Sequence, residues 1–177
     1  MGRRSRGDER PAPDADAAME IAARFLGTRP RTRWELDRRL RRAGTSDEVI
    51  AATLERLTAL GYVDDVAFAR YWQEQRDRHA PRGRRLIAAE LRQRGVTRET
   101  LGALDDDPER PPTDEILPET EGERARIALD RHLRGRPVPT EARALQRLGM
   151  FLMRRGFDAE TVRSTLRHAG ADQITDS

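Results

Sequence analysis

Three glycines, each following an arginine-rich amphipathic segment, mark a repeat that constrains how this chain can fold. They are Gly44, Gly95 and Gly156. Aliphatic residues stand eight and four positions before each glycine, Ser, Thr or Asp stands two after it, Glu four after it, and Ile, Leu or Val six after it. Glycine favours the end of a helix, and Ser, Thr and Asp favour the start of the next. The pattern predicts one helix–glycine–cap–helix segment in three copies.

A further amphipathic helix is predicted before each copy, and no segment shows the alternation typical of a strand. The predicted first helices span about residues 16–27, 65–78 and 121–134. The chain is therefore predicted to be all-α, with three tandem three-helix units that stack on their neighbours because each is too small to bury its apolar face alone. The predicted units are residues 15–62, 63–104 and 121–170.

The remaining segments are rich in charge and proline. Residues 1–14 and 171–177 are predicted to be a disordered arm and tail. Residues 105–120 are an acidic, Pro-rich spacer between two basic blocks: residues 105–123 carry nine acids and one Arg, net −8, whereas residues 24–104 and 124–168 each carry net +7. A flexible linker is the simpler interpretation of the spacer. A sharper hypothesis is that it shields the basic units when no partner is present.

Residue types that carry catalysis or bind metal are scarce. The chain has no cysteine, which excludes disulfides and thiol chemistry, and His79, His132 and His168 show no ligand spacing. We therefore predict no catalytic residue, no metal site, no cofactor and no small-molecule substrate. No apolar run approaches the roughly 20 residues of a membrane span, and the N-terminus lacks the apolar region of a signal peptide. A cytoplasmic monomer without membrane association is predicted.

The adjacent carboxylates in "LGYVDDVAFARYWQEQR", residues 60–76, could mark an acid–base dyad or the start of a helix. The helix interpretation explains both: Asp64 caps, Asp65 lies in the first turn, and Val63 and Phe68 form a hydrophobic staple. A dyad would need a second convergent group, which the sequence does not show. The predicted caps are Thr32, Ser46, Asp64, Thr97 and Asp158. The predicted core includes Leu36, Leu40, Tyr62, Phe68, Tyr71, Trp72, Leu91 and Leu152.

Two segments present arginine around helices whose leucines face inward. In "RPRTRWELDRRLRR" these are Arg38, Arg39, Arg41 and Arg42, and in "PRGRRLIAAELRQRG" Arg82, Arg84 and Arg85 cluster at a helix start. Cations at a helix start oppose the helix dipole, so local stability does not explain them. They suggest an external anionic partner, either a phosphate backbone or an acidic protein surface.

The segments at 29–44 ("RPRTRWELDRRLRRAG"), 57–76 ("LTALGYVDDVAFARYWQEQR") and 81–96 ("PRGRRLIAAELRQRGV") resemble the RecX regulatory proteins, which modulate the recombinase RecA. The resemblance extends more weakly to residues 151–166. It implies an all-α, elongated, curved array of three-helix repeats that is not an enzyme. The long acidic spacer and the use of arginine where the family often has lysine depart from its pattern.

The resemblance also implies a function in homologous recombination, DNA repair and the SOS response. Family members bind in the groove of the RecA–DNA filament and inhibit its ATPase, strand-exchange and coprotease activities. The implied partners are the RecA nucleoprotein filament and single-stranded DNA, with double-stranded DNA as a further candidate. The implied contact residues are Arg31, Arg33, Arg38, Arg39, Arg82, Arg84, Arg85, Arg92 and Arg94.

A different class of function is also open, because a three-helix unit with a glycine turn resembles a helix-turn-helix. That alternative is a sequence-specific transcriptional regulator. No helix presents an obvious set of side chains for reading base edges, and three near-equivalent units fit a long groove better than one operator. A repressor would protect one duplex site from cleavage, whereas a RecA regulator would lower ATP hydrolysis by RecA.

Overall fold

The computed structural model describes residues 12–105 and 120–175, and these ranges are helical without a strand. The N-terminal arm up to residue 11 and most of the acidic spacer, residues 106–119, lie outside the described residues. Nine helices occur in the described ranges: α1 (Ala15–Leu26), α2 (Arg33–Arg42), α3 (Asp47–Ala59), α4 (Asp65–His79), α5 (Arg84–Gln93), α6 (Arg98–Asp105), α7 (Glu121–Leu133), α8 (Ala142–Arg154) and α9 (Ala159–Thr175). The predicted all-α class with tandem three-helix groups is confirmed.

The three repeat glycines end their helices in the same way. Gly44, Gly95 and Gly156 have φ values of 82°, 81° and 89°, a region that glycine enters without the penalty of a Cβ. In each copy the glycine N–H donates to the carbonyl three residues back, at 3.0 Å, and the next residue's N–H donates to the carbonyl five residues back. This is a Schellman motif in triplicate. The residues that follow the glycines, Thr45, Val96 and Phe157, are buried.

Each predicted cap residue accepts a hydrogen bond from a backbone N–H two or three residues later. Thr32 also belongs to a full capping box with Glu35, in which each side chain accepts from the other's backbone. The side-chain oxygens of the other predicted caps accept at 2.8–3.4 Å; these residues are Ser46, Asp64, Thr97 and Asp158. Helices α2, α3, α4, α6 and α9 therefore begin where a short polar side chain satisfies an otherwise unpaired donor.

The chain divides into two compact units, and the boundary between Phe68 and Ala69 falls in the first turn of α4. The first unit contains α1–α3 around one apolar cluster. The buried members of this cluster are Ala18, Ala22, Leu36, Leu40, Ile50, Leu54, Leu57 and Val63. The two small alanines on α1 allow this helix to pack closely on α2 and α3. The larger leucines and Ile50 on α2 and α3 fill the space between the helices.

The second unit contains the rest of α4 and helices α5–α9, so the second and third three-helix groups lie in one compact unit. A buried ion pair joins them: Arg124 Nε on α7 donates to Asp77 on α4, at 3.1 and 3.2 Å from the two carboxylate oxygens. The side chains are only 5% and 0% exposed. A second apolar cluster fills the α7–α9 group; its buried members are Ala125, Ala128, Leu129, Leu133, Val138, Leu148, Leu152, Phe157 and Val162.

A close backbone approach at Gly83 and Gly156 also joins the two groups. The Gly83 N–H donates to the carbonyl of Arg155 at 2.9 Å. A Cβ at position 83 would overlap the Gly156 carbonyl, and one at Gly156 would lie 2.5 Å from Leu86 Cβ. Neither position has space for a side chain, so the close approach of the α4–α5 and α8–α9 connections requires glycine at both positions.

Tyr62 does not belong to the core, contrary to the prediction. Its backbone N–H folds back on the carbonyl of Leu57 at 2.9 Å, as the Gly61 turn requires. Its side chain is nevertheless 66% exposed, whereas the next residue, Val63, is buried in the first apolar cluster. The apolar position after this turn is therefore supplied one residue later than in the three repeat copies.

Tyr71 and Trp72 are half-buried rather than core residues. Two arginine side chains lie over the Trp72 ring, as described below. Tyr71 keeps partial access to solvent, as a side chain with a polar tip often does. The predicted disordered tail also differs, because α9 continues through residues 171–175 to Thr175.

Candidate arginine-rich interfaces

The outward side of α2 carries three arginines and a tryptophan, and we name these four residues the α2 surface: Trp34, Arg38, Arg39 and Arg42. All four side chains are exposed, and Trp34 is 40% exposed. The guanidinium carbon of Arg38 lies 4.6 Å from the centre of the Trp34 ring. The aromatic ring thus holds one cation at the surface by a cation–π contact.

Arg41 lies on the same helix but is used internally. Its guanidinium forms ion pairs with Asp37, at 2.8 Å, and with Asp47 at the start of α3. Hydrogen bonds that the guanidinium donates to Asp37 and then to Asp47 raise the pKa of Arg41. Arg41 therefore links α2 to α3 and contributes less free positive charge to the surface than its position suggests.

Two of the predicted contact residues of the first unit make side-chain hydrogen bonds within that unit. Arg31 donates to the carbonyl of Phe25 and to the Thr28 hydroxyl, and its guanidinium lies 3.8 Å from the centre of the Phe25 ring. Arg33 Nη1 reaches the hydroxyl of Thr58 at 3.4 Å. Of the four arginines predicted in this unit, Arg38 and Arg39 are the two that point outward without such a role.

The outward side of α5 carries Arg85 and Arg92, which we name the α5 surface. Both are exposed, and their spacing of seven residues places them on one face of the helix. Neither makes an ion pair with any carboxylate in the part of the chain that the structure describes. Their charge is therefore not neutralised by any carboxylate of residues 12–105 and 120–175.

The cations at the start of α5 have an internal explanation that the sequence did not reveal. Glu121, at the start of α7, accepts from the backbone N–H of Arg84 at 3.2 Å and pairs with the Arg84 side chain at 3.0 Å. Its carboxylate supplies the negative charge that a helix N-terminus favours. The placement of Arg84 therefore has an internal explanation, because Glu121 supplies an anion from 37 residues away in the same chain.

Glu90 is a second internal anion, and its carboxylate forms an ion pair with Arg82. It also accepts from Trp72 Nε1 at 2.7 Å and from Arg76 Nε at 2.9 Å. Burial lowers the pKa of Arg82, and the positive charges of Arg76 and Arg155 lower it further. One carboxylate therefore serves several cations, and Arg82 lies in a region with excess positive charge.

Arg94 makes a cation–π contact with an aromatic ring of its own chain. Its guanidinium carbon lies 3.9 Å from the centre of the Trp72 ring, and that of Arg76 lies 4.2 Å from the same centre. Trp72 thus anchors one arginine from its own helix and one from the end of α5. Of the five arginines predicted in this segment, Arg85 and Arg92 are the two that are exposed and form no ion pair or ring contact in the ranges that the structure describes.

Trp34 was not among the predicted contact residues, although its spacing contained the signal. It lies two positions before Leu36, and two helical steps turn a side chain by about 200°, away from the buried face. A large aromatic residue on the polar side of a short helix is a frequent anchor of binding interfaces. The sequence spacing alone was enough to single it out.

The adjacent carboxylates Asp64 and Asp65 do not converge on a common atom. Asp64 caps α4, while Asp65 turns to the backbone N–H of Arg33 at 2.8 Å. Within residues 12–105 and 120–175, no three His, Cys, Asp or Glu residues group closely enough to hold a metal ion. Among the helices of these ranges, none combines the length and apolar character that a membrane span requires.

Comparison with known proteins identifies both of the first two helical groups. Residues 18–57 match the family described as "RecX, first three-helix domain", and residues 64–103 match "RecX, second three-helix domain". The chain is 43% identical over 145 residues to the regulatory protein RecX of Thermobifida fusca, covering 80% of this chain and 72% of the relative. It is 36% identical over 149 residues to that of Mycolicibacterium vanbaalenii, covering 81% and 77%.

Solved structures show the same fold. The crystal structure of RecX from Lactobacillus salivarius matches with a TM-score of 0.73 at 15% identity, over 88% of this chain and 96% of that one. A second crystal structure of regulatory protein RecX matches with a TM-score of 0.64 at 22% identity, over 85% and 70%. On the identity and coverage of the sequence relatives, this chain belongs to the RecX family of regulatory proteins.

Proposed function

We propose that this chain is a negative regulator of RecA, binding in the groove of the RecA–single-stranded DNA filament and inhibiting its ATPase, strand-exchange and coprotease activities. Membership of the RecX family supports the regulatory role. The observation that carries the proposal is the pair of exposed arginine surfaces on α2 and α5. Their guanidinium groups have no carboxylate partner in the described ranges, although the chain offers internal carboxylates to Arg41, Arg82 and Arg84.

The chemistry of the partner follows from these surfaces. A nucleoprotein filament presents phosphates and acidic side chains at regular intervals, and guanidinium groups bind both by paired hydrogen bonds. Each contact at an exposed surface is weak. Two surfaces on one chain engage together, and linkage of this kind raises affinity by ~10²–10⁴ when the geometry allows both to bind.

The structure selects which arginines to change. Replacing Arg84 would break its internal ion pair with Glu121, so loss of function there would not report on binding. We expect Arg85→Glu with Arg92→Glu, and separately Arg38→Glu with Arg39→Glu, each to raise the concentration that half-inhibits RecA ATPase by about tenfold, equivalent to 1.4 kcal/mol. Helicity measured by circular dichroism should not change, because all four side chains are exposed.

A matched control is Arg163→Glu with Arg167→Glu on α9. Both side chains are exposed, and the change in net charge is the same. This control should inhibit RecA within about twofold of the unchanged protein. The proposal fails if the unchanged protein does not slow RecA, or if all three double variants lose inhibition equally. Protection of a single duplex site in a footprint would instead favour a transcriptional regulator.

The proposal includes a monomer in the cytoplasm that carries out no catalysis and needs no cofactor. Its helical groups are proposed to act as three tandem units, 15–62, 63–104 and 121–170, separated by the 105–120 spacer. Light scattering of the purified protein tests the first point: a mass near 20.2 kDa supports the monomer, and twice that mass contradicts it.

A further inference from the structure

The third helical group contains a hollow whose walls are cationic, which we name the arginine hollow. Its volume is ≈ 560 Å³, within the range of ligand-binding sites. The charged and titratable residues that line it are Arg131, Arg134, Arg136, Arg155, His79 and His132, and no carboxylate lines it. None of these four arginines belongs to the α2 or α5 surface.

Internal partners do not account for the charge of the arginine hollow. Arg136 Nε donates to the carbonyl of Leu133 at 3.0 Å, and Arg155 Nη1 donates to that of Pro81 at 3.2 Å. These neutral acceptors position the side chains without cancelling their charge, and each guanidinium has further donors. In the part of the chain that the structure describes, none of the four arginines forms an ion pair with a carboxylate. Like charges held together in this way favour a bound anion.

A second hollow adjoins the first and is more apolar. Its volume is ≈ 530 Å³, and Pro137, Pro139 and Met150 line it together with three arginines: Arg136, Arg147 and Arg154. We name it the apolar hollow. The two hollows share Arg136, His132 and Phe151, and the rings of the last two stack with centres 3.9 Å apart.

We propose that these two hollows bind a short stretch of single-stranded nucleic acid, with phosphates in the arginine hollow and a base in the apolar hollow. A single strand carries an anionic phosphate next to each planar apolar base. In the same way, a cationic hollow lies next to a more apolar one here. An unpaired base can enter such a site, whereas a base within a duplex is stacked and covered. The proposal deepens the proposed function, because it adds a direct contact to the DNA strand.

The test measures binding of a fluorescein-labelled 15-residue oligothymidylate to the full chain by fluorescence anisotropy, without RecA. Arg131→Gln with Arg134→Gln should weaken binding by about tenfold at low salt. It should also reduce the steepness of the slope of log affinity against log salt concentration by about 1.4, because each of two lost phosphate contacts contributes ~0.7 on a single strand. Arg163→Gln with Arg167→Gln removes the same charge from an exposed face of the same unit and should change affinity by less than about twofold.

A second variant tests the apolar hollow separately from charge. Met150 is 51% exposed, so Met150→Ser should fold normally. We expect it to weaken oligothymidylate binding by about threefold to tenfold with no change in the salt slope, since it removes apolar contact and no charge. An unchanged affinity for Met150→Ser would overturn the placement of a base in the apolar hollow.

Competition distinguishes the sources of the anion. Thymidine monophosphate, inorganic phosphate and an acidic peptide of polyglutamate should each displace the labelled strand at concentrations at least about a hundredfold above unlabelled oligothymidylate. If any of the three competes as well as the oligonucleotide, the strand proposal is overturned in favour of that ligand. Equal loss of binding by the hollow variant and its α9 control would overturn it as well.

Failure of this inference differs from failure of the proposed function. If the hollow variant binds oligothymidylate normally while the unchanged protein inhibits RecA, the hollow is excluded and the regulator proposal stands. If the strand binds the hollow but RecA ATPase is unaffected by the unchanged protein, the regulator proposal falls and the hollow stands.

Discussion

The carboxylate of Asp65 accepts a hydrogen bond from the backbone N–H of Arg33 at 2.8 Å, although the two residues are 32 positions apart. The contact connects the start of α4 to the start of α2. It supplements the capping of α2 by Thr32, because Arg33 N–H is one of the donors that the helix itself leaves unpaired. Burial raises the pKa of the Asp65 carboxyl, an effect that the hydrogen bond from Arg33 partly offsets.

Substitution of Asp65 should separate the role of its oxygen from that of its charge. Asp65→Ala removes the acceptor and should lower the free energy of unfolding by about 1 kcal/mol. Asp65→Asn keeps an oxygen for Arg33 and should retain most of the stability. Because the folded state raises this pKa, the charged form is the disfavoured one, and its cost appears as pH rises through the folded pKa. Urea unfolding should therefore show that the stability of Asp65→Asn relative to the unchanged protein rises from pH 4 to pH 7. A fall over this range would contradict this account.

The buried pair Asp77–Arg124 should be the most sensitive ionic contact in the second unit. Asp77→Ala or Arg124→Ala leaves an uncompensated buried charge and should lower the free energy of unfolding by about 3–5 kcal/mol. Asp77→Leu combined with Arg124→Met should lose less than either single alanine variant, since neither charge then remains. Urea unfolding of the unchanged protein and these three variants measures this. Additive losses in the double variant would show that the two side chains are not coupled.

The glycine contact between the α4–α5 and α8–α9 connections predicts an ordering of three alanine variants. Gly44→Ala meets open space and has only an unfavourable φ of 82° to accommodate, at a cost of about 1 kcal/mol. Gly83→Ala and Gly156→Ala also drive a methyl group into backbone or into Leu86, so each should cost at least about 2 kcal/mol. Thermal unfolding compares the three. If Gly44→Ala lowered the thermal stability most, the close approach of the backbones at Gly83 and Gly156 would be contradicted.

Asp158 should stabilise the start of α9 in a pH-dependent way. Hydrogen bonds from the backbone N–H and then the hydroxyl of Thr161 lower the pKa of its carboxyl. A lowered folded pKa gives stability that is present above the ordinary pKa of about 4 and is lost as pH falls through the folded value. Asp158→Ala should therefore cost about 1 kcal/mol at pH 7 and progressively less toward pH 2. A difference that stays constant with pH would contradict the role of the charge.

The sequence determined the features of this protein that depend on neighbours within about eight residues. Glycine spacing, cap residues and apolar stripes located the helices, because a Schellman motif or a cap involves residues only two to five positions apart. The tandem three-helix class and the family followed from the same local patterns. The exposed position of Trp34 was also readable from its spacing to Leu36. The exposed turn residue Tyr62 was not, because the next residue filled the apolar position instead.

Only the tertiary structure decided which arginines face outward. A helical period assigns a residue to a face, but it does not show what lies opposite that face. Glu90 and Glu121 form ion pairs with Arg82 and Arg84, two residues that the sequence left without a visible partner. Packing of α8 against the end of α7 brought Arg155 to the hollow that Arg131, Arg134 and Arg136 also line. Electrostatic interactions act through space rather than along the chain, so the free charge of this protein is a property of its packing.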